Sequence, residues 1–192
     1  AGNMPKDILE RAIKKGTGEL EGVDFTEMRY EGYGPAGTAF IVEAVTDNKN
    51  RTASEMRMTF SRKDGNLGAD GAVSWMFKKK GLITVKAEGI DTDELMMAAL
   101  EAGAEDVEED DGVFEVTTDY TEFQTVLENL KNAGYTYEEA EIEMIPENRV
   151  EITDLETAKK VMALFDALED LDDSQNVYSN FDISDELLEQ LD

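Results

Sequence analysis

Apolar positions recur along the chain at helical or strand spacing, in an order that predicts an α+β protein. Ile8, Leu9, Ala12 and Ile13 form a stripe at helical spacing, with Asn3 placed to cap it, Pro5 in its first turn and Gly16 as a stop. A lone amphipathic helix needs a surface to pack on. With Ala1 as the first residue, it reads as the end of a helical N-terminal domain whose start is truncated or processed, and Gly16, Gly18 and Gly22 continue it as a linker, residues 1–24 together. Residues 26–33 and 37–46 read as strands joined by Gly34-Pro35-Ala36-Gly37. A helix over about 50–62 follows with Ala53, Met56 and Phe60 inward, then a Gly-rich loop at 65–71 and a short strand at 72–77.

The next stretch repeats one order twice. Strand 82–87 leads to a helix opened by Asp91-Thr92-Asp93-Glu94, lined by Leu95, Ala98, Ala99 and Ala102 and stopped at Gly103. Strands 105–109 and 113–118 flank the hairpin signal Asp110-Asp111-Gly112. Asp119 with Glu122 reads as a capping box for a helix with Phe123, Val126, Leu127 and Leu130 inward, Gly134 ends it, and strand 136–145 reaches Pro146. That is a β-α-β-β-α-β unit, the ferredoxin-like order. Strand 149–152, a helix at 154–169 capped by Thr153 with Glu156, and strand 175–182 remain. The helix is lined by Leu155, Ala158, Val161, Met162, Phe165 and Leu168. Joined to strand 37–46, helix 50–62 and strand 72–77, they complete a second such unit. The expected organisation is two ferredoxin-like domains, one inserted into the other: a discontinuous domain at 25–80 and 147–192, and an inserted domain at 81–146.

Charge changes the picture. The 192 residues hold 18 Lys and Arg against 45 Asp and Glu, a formal net charge of −27, which alone argues against a polyanionic partner. The 41% hydrophobic content excludes an acidic disordered tail. The sum hides a split, since residues 1–80 carry 13 of the bases and only 12 of the acids. With no Cys and no His, disulfide frameworks, thiolate or Ser-His catalysis, Cys-ligated zinc and most transition-metal sites are excluded; no catalytic residue, cofactor or metal is expected. No run is long and apolar enough for a membrane span, and the expected location is cytoplasmic.

Three features could carry chemistry. Asp47-Asn48-Lys49-Asn50-Arg51-Thr52 leads from an apolar strand into a helix, where free N–H groups and the dipole favour an anion; the plain alternative is a polar cap with surface bases. Arg57, Arg62 and Lys63 extend this basic character along the helix face away from Ala53, Met56 and Phe60. Lys78-Lys79-Lys80 follows Trp75-Met76-Phe77, a pairing of bases with aromatics that suits single-stranded nucleic acid if the rings are exposed, or a core strand ending in a solvated turn if they are not. Lys49, Asn50, Arg51, Arg57, Arg62, Lys63, Lys78, Lys79 and Lys80 are therefore the candidate nucleic-acid-binding residues. The acids at 105–111 could hold Mg²⁺ or Ca²⁺, yet alternation around Asp-Asp-Gly favours a solvated hairpin.

Longer blocks carry a resemblance. Asn3-Met4-Pro5-Lys6-Asp7 with Glu10-Arg11-Ala12-Ile13-Lys14-Lys15-Gly16, Tyr30-Glu31-Gly32-Tyr33-Gly34-Pro35, Thr46-Asp47-Asn48-Lys49-Asn50-Arg51-Thr52-Ala53-Ser54-Glu55, and Gly65-Asn66-Leu67-Gly68 with Val73-Ser74-Trp75-Met76-Phe77 resemble the YebC/PmpR family. The resemblance implies a helical N-terminal domain and two α+β domains, one inserted in the other. It implies a gene-expression regulator rather than an enzyme, since the family includes probable DNA-binding transcriptional regulators and a mitochondrial translational activator of cytochrome oxidase. The resemblance further implies a basic helical segment ahead of the Asn-Met-Pro-Lys-Asp block, nearly all of which is expected to be missing from this sequence. The expected partner is nucleic acid, as DNA or alternatively as ribosomal RNA on the ribosome. A basic protein docking on the acidic half is a third partner class, and no membrane is expected.

Overall fold

A computed structural model describes residues 24–191; the helix expected over 3–16 and the Gly-rich stretch after it lie outside the described residues. The chain divides into two compact units, one formed by the described residues up to Phe77 together with those from Pro146 onward, the other by Lys78–Ile145. The architecture is mixed α and β, with three sheets among the described residues.

In the first unit, β1 (Thr26–Tyr33) and β2 (Ala39–Thr46) form an antiparallel hairpin across the turn Pro35–Gly37, in register Thr26↔Thr46 to Tyr33↔Ala39. α1 (Lys49–Arg62) follows, then the two-residue β3 (Asn66–Leu67), which pairs with β1 at Gly32 and Tyr33. After the second unit the chain returns as β8 (Val150–Ile152), α4 (Leu155–Glu169), β9 (Ser174–Ser179), β10 (Phe181–Ile183) and α5 (Asp185–Leu191). The four-stranded sheet runs β3-β1-β2-β9, and β8 and β10 form a separate parallel pair.

One face of that sheet is buried under α1 and α4. Phe40, Val42, Met56, Phe60, Ala158, Val161, Leu164 and Leu168 form its core, with the Phe40 and Phe60 rings 6.3 Å apart, edge to face. Met56 and Phe60 lie one turn apart and are fully buried as the spacing predicts, whereas Ala53 is half-buried and Thr52 takes a buried position instead. A methyl group at Gly32 would lie 2.7 Å from the Asn66 carbonyl oxygen and 2.8 Å from the Phe60 ring. Gly32→Ala is therefore expected to cost about 1–3 kcal/mol, read as a lower urea midpoint; an unchanged midpoint would mean that β3 and Phe60 move aside freely.

The second unit runs β4 (Phe77–Lys86), α2 (Thr92–Ala102), β5 (Asp106–Asp110), β6 (Val113–Asp119), α3 (Phe123–Asn132), β7 (Glu139–Pro146), with sheet order β5-β6-β4-β7. Asp111 and Gly112 join β5 to β6 at φ 45° and 82°, the two positive values a two-residue type I′ turn needs. Ile83, Val85, Leu95, Ala99, Phe114, Val116, Phe123, Val126 and Leu130 fill the core between sheet and helices.

Several expectations are corrected. No strand spans 72–77: residues 74–76 form a 3-10 turn and the strand begins at Phe77, running on through the segment expected at 82–87. The outer unit thus lacks one strand of the expected β-α-β-β-α-β order, and β8 sits outside its main sheet. The strand expected at 175–182 breaks at Asn180, whose side-chain oxygen accepts from the Ala39 N–H at 2.8 Å. Asp119 does not cap α3. Its carboxylate takes the Thr121 N–H and hydroxyl at 2.9 and 2.6 Å, which lowers its pKa from the ordinary value, and the helix starts only at Phe123. Asp154, rather than Thr153, caps α4 by accepting from the Thr157 N–H at 2.9 Å.

Candidate nucleic-acid interface

The loop entering α1 is organised by its own side chains. Asn48 caps the helix, its side-chain oxygen accepting from the Arg51 N–H at 3.1 Å, and the Asn48 N–H donates to the Thr46 hydroxyl at 2.9 Å. The helix end expected to attract an external anion already has internal ones. Asp173, only 1% exposed, receives the Thr52 hydroxyl at 2.6 Å and the Arg51 guanidinium at 3.1 Å, and Asp47 takes the same guanidinium at 2.9 Å. Hydrogen bonding to Asp173 is the main reason the Arg51 guanidinium is held above its ordinary value. Arg51 is thus a structural cation, its charge spent on two carboxylates. Beside it, burial first and then Asp173 and Asp70 push the Tyr30 phenol up.

The other candidates fall into two groups, one in each unit. On α1 and at its end, Lys49, Asn50, Arg57, Arg62 and Lys63 are exposed, and the four cations among them have no ion-pair partner among the described residues. Arg57 and Arg62 sit on the side away from Met56 and Phe60, so packing and charge presentation do not compete. Lys78, Lys79 and Lys80 open β4 in the second unit. Lys80 is paired with Glu105 at 2.6 Å, and the Lys79 ammonium lies 5.1 Å from the centre of the Tyr120 ring.

Trp75 is 71% exposed, so the core-strand alternative for it is overturned, while Phe77 is buried as that alternative requires. The cause is a buried carboxylate on the neighbouring strand. Glu31 on β1 is only 4% exposed, and its carboxylate gathers the backbone N–H groups of Gly71 at 2.6 Å, Val73 at 3.1 Å and Ser74 at 2.6 Å. Burial opposes ionisation, yet these N–H groups outweigh it and hold the carboxyl below its usual range. The Gly68 N–H also donates to the Glu31 carbonyl at 2.8 Å. Residues 68–74 are therefore wrapped over β1, and the turn that follows lifts Trp75 outward.

In the second unit, the outer side of α2 exposes Met96, Met97 and Leu100 beside exposed Glu94 and Glu101. The acids at 105–111 lie along β5 and its hairpin, and no group of three or more Asp or Glu among the described residues is placed to hold a metal ion. No helix of the described residues is long and apolar enough to cross a membrane.

The unit that carries this basic helix face, unpaired among the described residues, also carries the blocks between Tyr30 and Phe77 that resemble a known family. The match is specific: the family described as TACO1/YebC second and third domain covers residues 25–181, and the chain belongs to it. It is 93% identical over 192 residues to a probable transcriptional regulatory protein of Fusobacterium nucleatum, covering 100% of this chain and 77% of that one. It is 55% identical over 191 residues to a probable transcriptional regulatory protein of Geobacter sulfurreducens, covering 100% and 76%. The crystal structure of a conserved hypothetical protein from Aquifex aeolicus superposes with a TM-score of 0.80 at 49% identity, covering 96% of this chain and 76% of that one.

Proposed function

We propose that this protein is a DNA-binding regulator of transcription that works by binding rather than catalysis, with the exposed face of α1 meeting the phosphate backbone. The observation that carries this reading is the sorting of the cations: Lys49, Arg57, Arg62 and Lys63 stay exposed and have no ion-pair partner among the described residues, in a chain of net charge −27 where acids to neutralise them are abundant. Phosphate contacts of this kind position a protein on nucleic acid without reading sequence. We read the Lys78–Ile145 unit as the ferredoxin-like inserted domain, on its element order, and the outer unit as a departure from that order. Exposed Trp75 favours a second reading, an RNA- or ribosome-associated factor, because a free aromatic face rewards unpaired bases.

Charge reversal separates phosphate binding from folding. Changing Lys49, Arg57 and Arg62 together to Glu in the full chain is expected to weaken duplex binding and to reduce the slope of log affinity against log salt by about 2 to 3. All three side chains are exposed, so the melting temperature should barely move. Unchanged affinity and slope would refute a phosphate role for α1. Ribosome co-sedimentation set beside genome-wide DNA crosslinking separates the two readings, and ribosome enrichment without DNA would replace the first by the second.

A further inference from the structure

From the geometry around Ala72 we infer that Trp75 and Tyr33 form a stacking platform for unpaired nucleobases, distinct from the cations of α1 and selecting single strands over duplex. The inference rests on the proposed nucleic-acid function and adds to it the class of ligand. Ala72 presents one carbonyl oxygen to two aromatic side chains: the Trp75 indole N–H donates to it at 3.0 Å and the Tyr33 hydroxyl at 3.2 Å. The polar atom of each ring is thereby satisfied within the protein. What remains for a ligand is ring face, with Trp75 71% and Tyr33 37% exposed. Among the described residues neither ring stacks on another aromatic or lies under a cation.

The platform is held by hydrogen bonds on both sides of it. Buried Glu31 fixes the segment from Gly71 to Ser74 through three N–H groups, and β3 pairs Asn66 with Tyr33, which holds the second ring. A large aromatic exposed on a fixed turn loses little side-chain entropy when a base stacks on it. Exposed Lys63, unpaired among the described residues, lies three residues before Asn66, the register partner of Tyr33, and Arg62 precedes it. Phosphate charge can therefore be met beside the rings within the same unit. A duplex hides its base faces, so the rings discriminate strandedness while the cations do not.

Trp75 is the chain's only tryptophan, so its own fluorescence reports the contact. The full chain is titrated with oligouridylate, oligothymidylate and a duplex, following both Trp emission and anisotropy of labelled strands. Stacking predicts quenching by single strands only, and the stronger of the two single-strand arms tells RNA from DNA. Trp75→Ala is expected to weaken single-strand binding about 5-fold or more while leaving duplex binding and the salt slope unchanged, and Trp75→Phe to retain most of the single-strand affinity. Single-strand binding that is unaffected by Trp75→Ala, with duplex binding intact, overturns the platform and leaves the α1 reading standing. Absence of binding to every strand overturns both. Quenching by a proline-rich peptide and by no oligonucleotide would assign the rings to a protein partner and also overturn it.

Discussion

Replacing Glu31 by alanine is expected to lower stability by about 3 kcal/mol or more, because three backbone N–H groups lose their acceptor in a place water does not reach easily. Glutamine is not a rescue. Oε2 serves Gly71 while Oε1 serves Val73 and Ser74, so either orientation of an amide sets its NH₂ against an N–H donor. The pH dependence has a definite sign. The folded-state carboxyl titrates below its ordinary value of 4.5, so its contribution is fully present above that value and is lost as pH falls through the lower, folded-state one. The gap in urea midpoint between wild type and Glu31→Gln should therefore be widest near neutral pH and narrow on acidification below 4.5. A gap that is small at neutral pH, or constant with pH, would remove Glu31 from its role. Trp75 emission should shift in the same variant, since the turn carrying it loses its anchor.

Arg51→Ala is expected to damage folding rather than binding. Among the described residues it leaves the buried Asp173 carboxylate only the Thr52 hydroxyl for compensation, and Asp47 is too far toward solvent to need replacement. Breaking a fully buried pair costs about 3–5 kcal/mol, but the Arg51 side chain is 38% exposed and screened, so about 2 kcal/mol is expected here. The double variant Arg51→Ala with Asp173→Ala should recover part of that loss, because no stranded charge remains. Denaturant midpoints of the three variants close the cycle; a cost for Arg51→Ala below about 0.5 kcal/mol, the range of ordinary surface changes, would return Arg51 to the surface cations.

The legible part of the fold was the part set by local periodicity. α1 and the Leu95-Ala99-Ala102 and Phe123-Val126-Leu127-Leu130 faces follow from helical spacing alone, and Asp111-Gly112 announces its turn by its residue types. The helix-cap misses at Asp119 and Thr153 are local, but those at the candidate site share a physical cause, a partner distant in sequence. Val73, Trp75 and Phe77 alternate as a strand should, but Glu31, some 40 residues earlier, takes the N–H groups a strand ladder would use. Arg51 reads as a free base because the carboxylate that captures it is 122 residues away. Among the candidate site residues, type and spacing found the cations; only three-dimensional packing divides spent charges from available ones.

The interruption of the outer unit sets an order in time. Chains emerge N-terminus first, so β2, with its run Ala39-Phe40-Ile41-Val42, exists with an empty edge until β9 appears from Ser174 onward. An apolar strand with an unpaired edge is a template for aggregation. Between the two, the ribosome delivers residues 78–145, with 19 acids against 5 bases and every strand of their own sheet, save its first and last residues, within that span. The inserted unit can thus close while the outer sheet is still open, and its negative charge keeps neighbouring nascent chains apart during that wait.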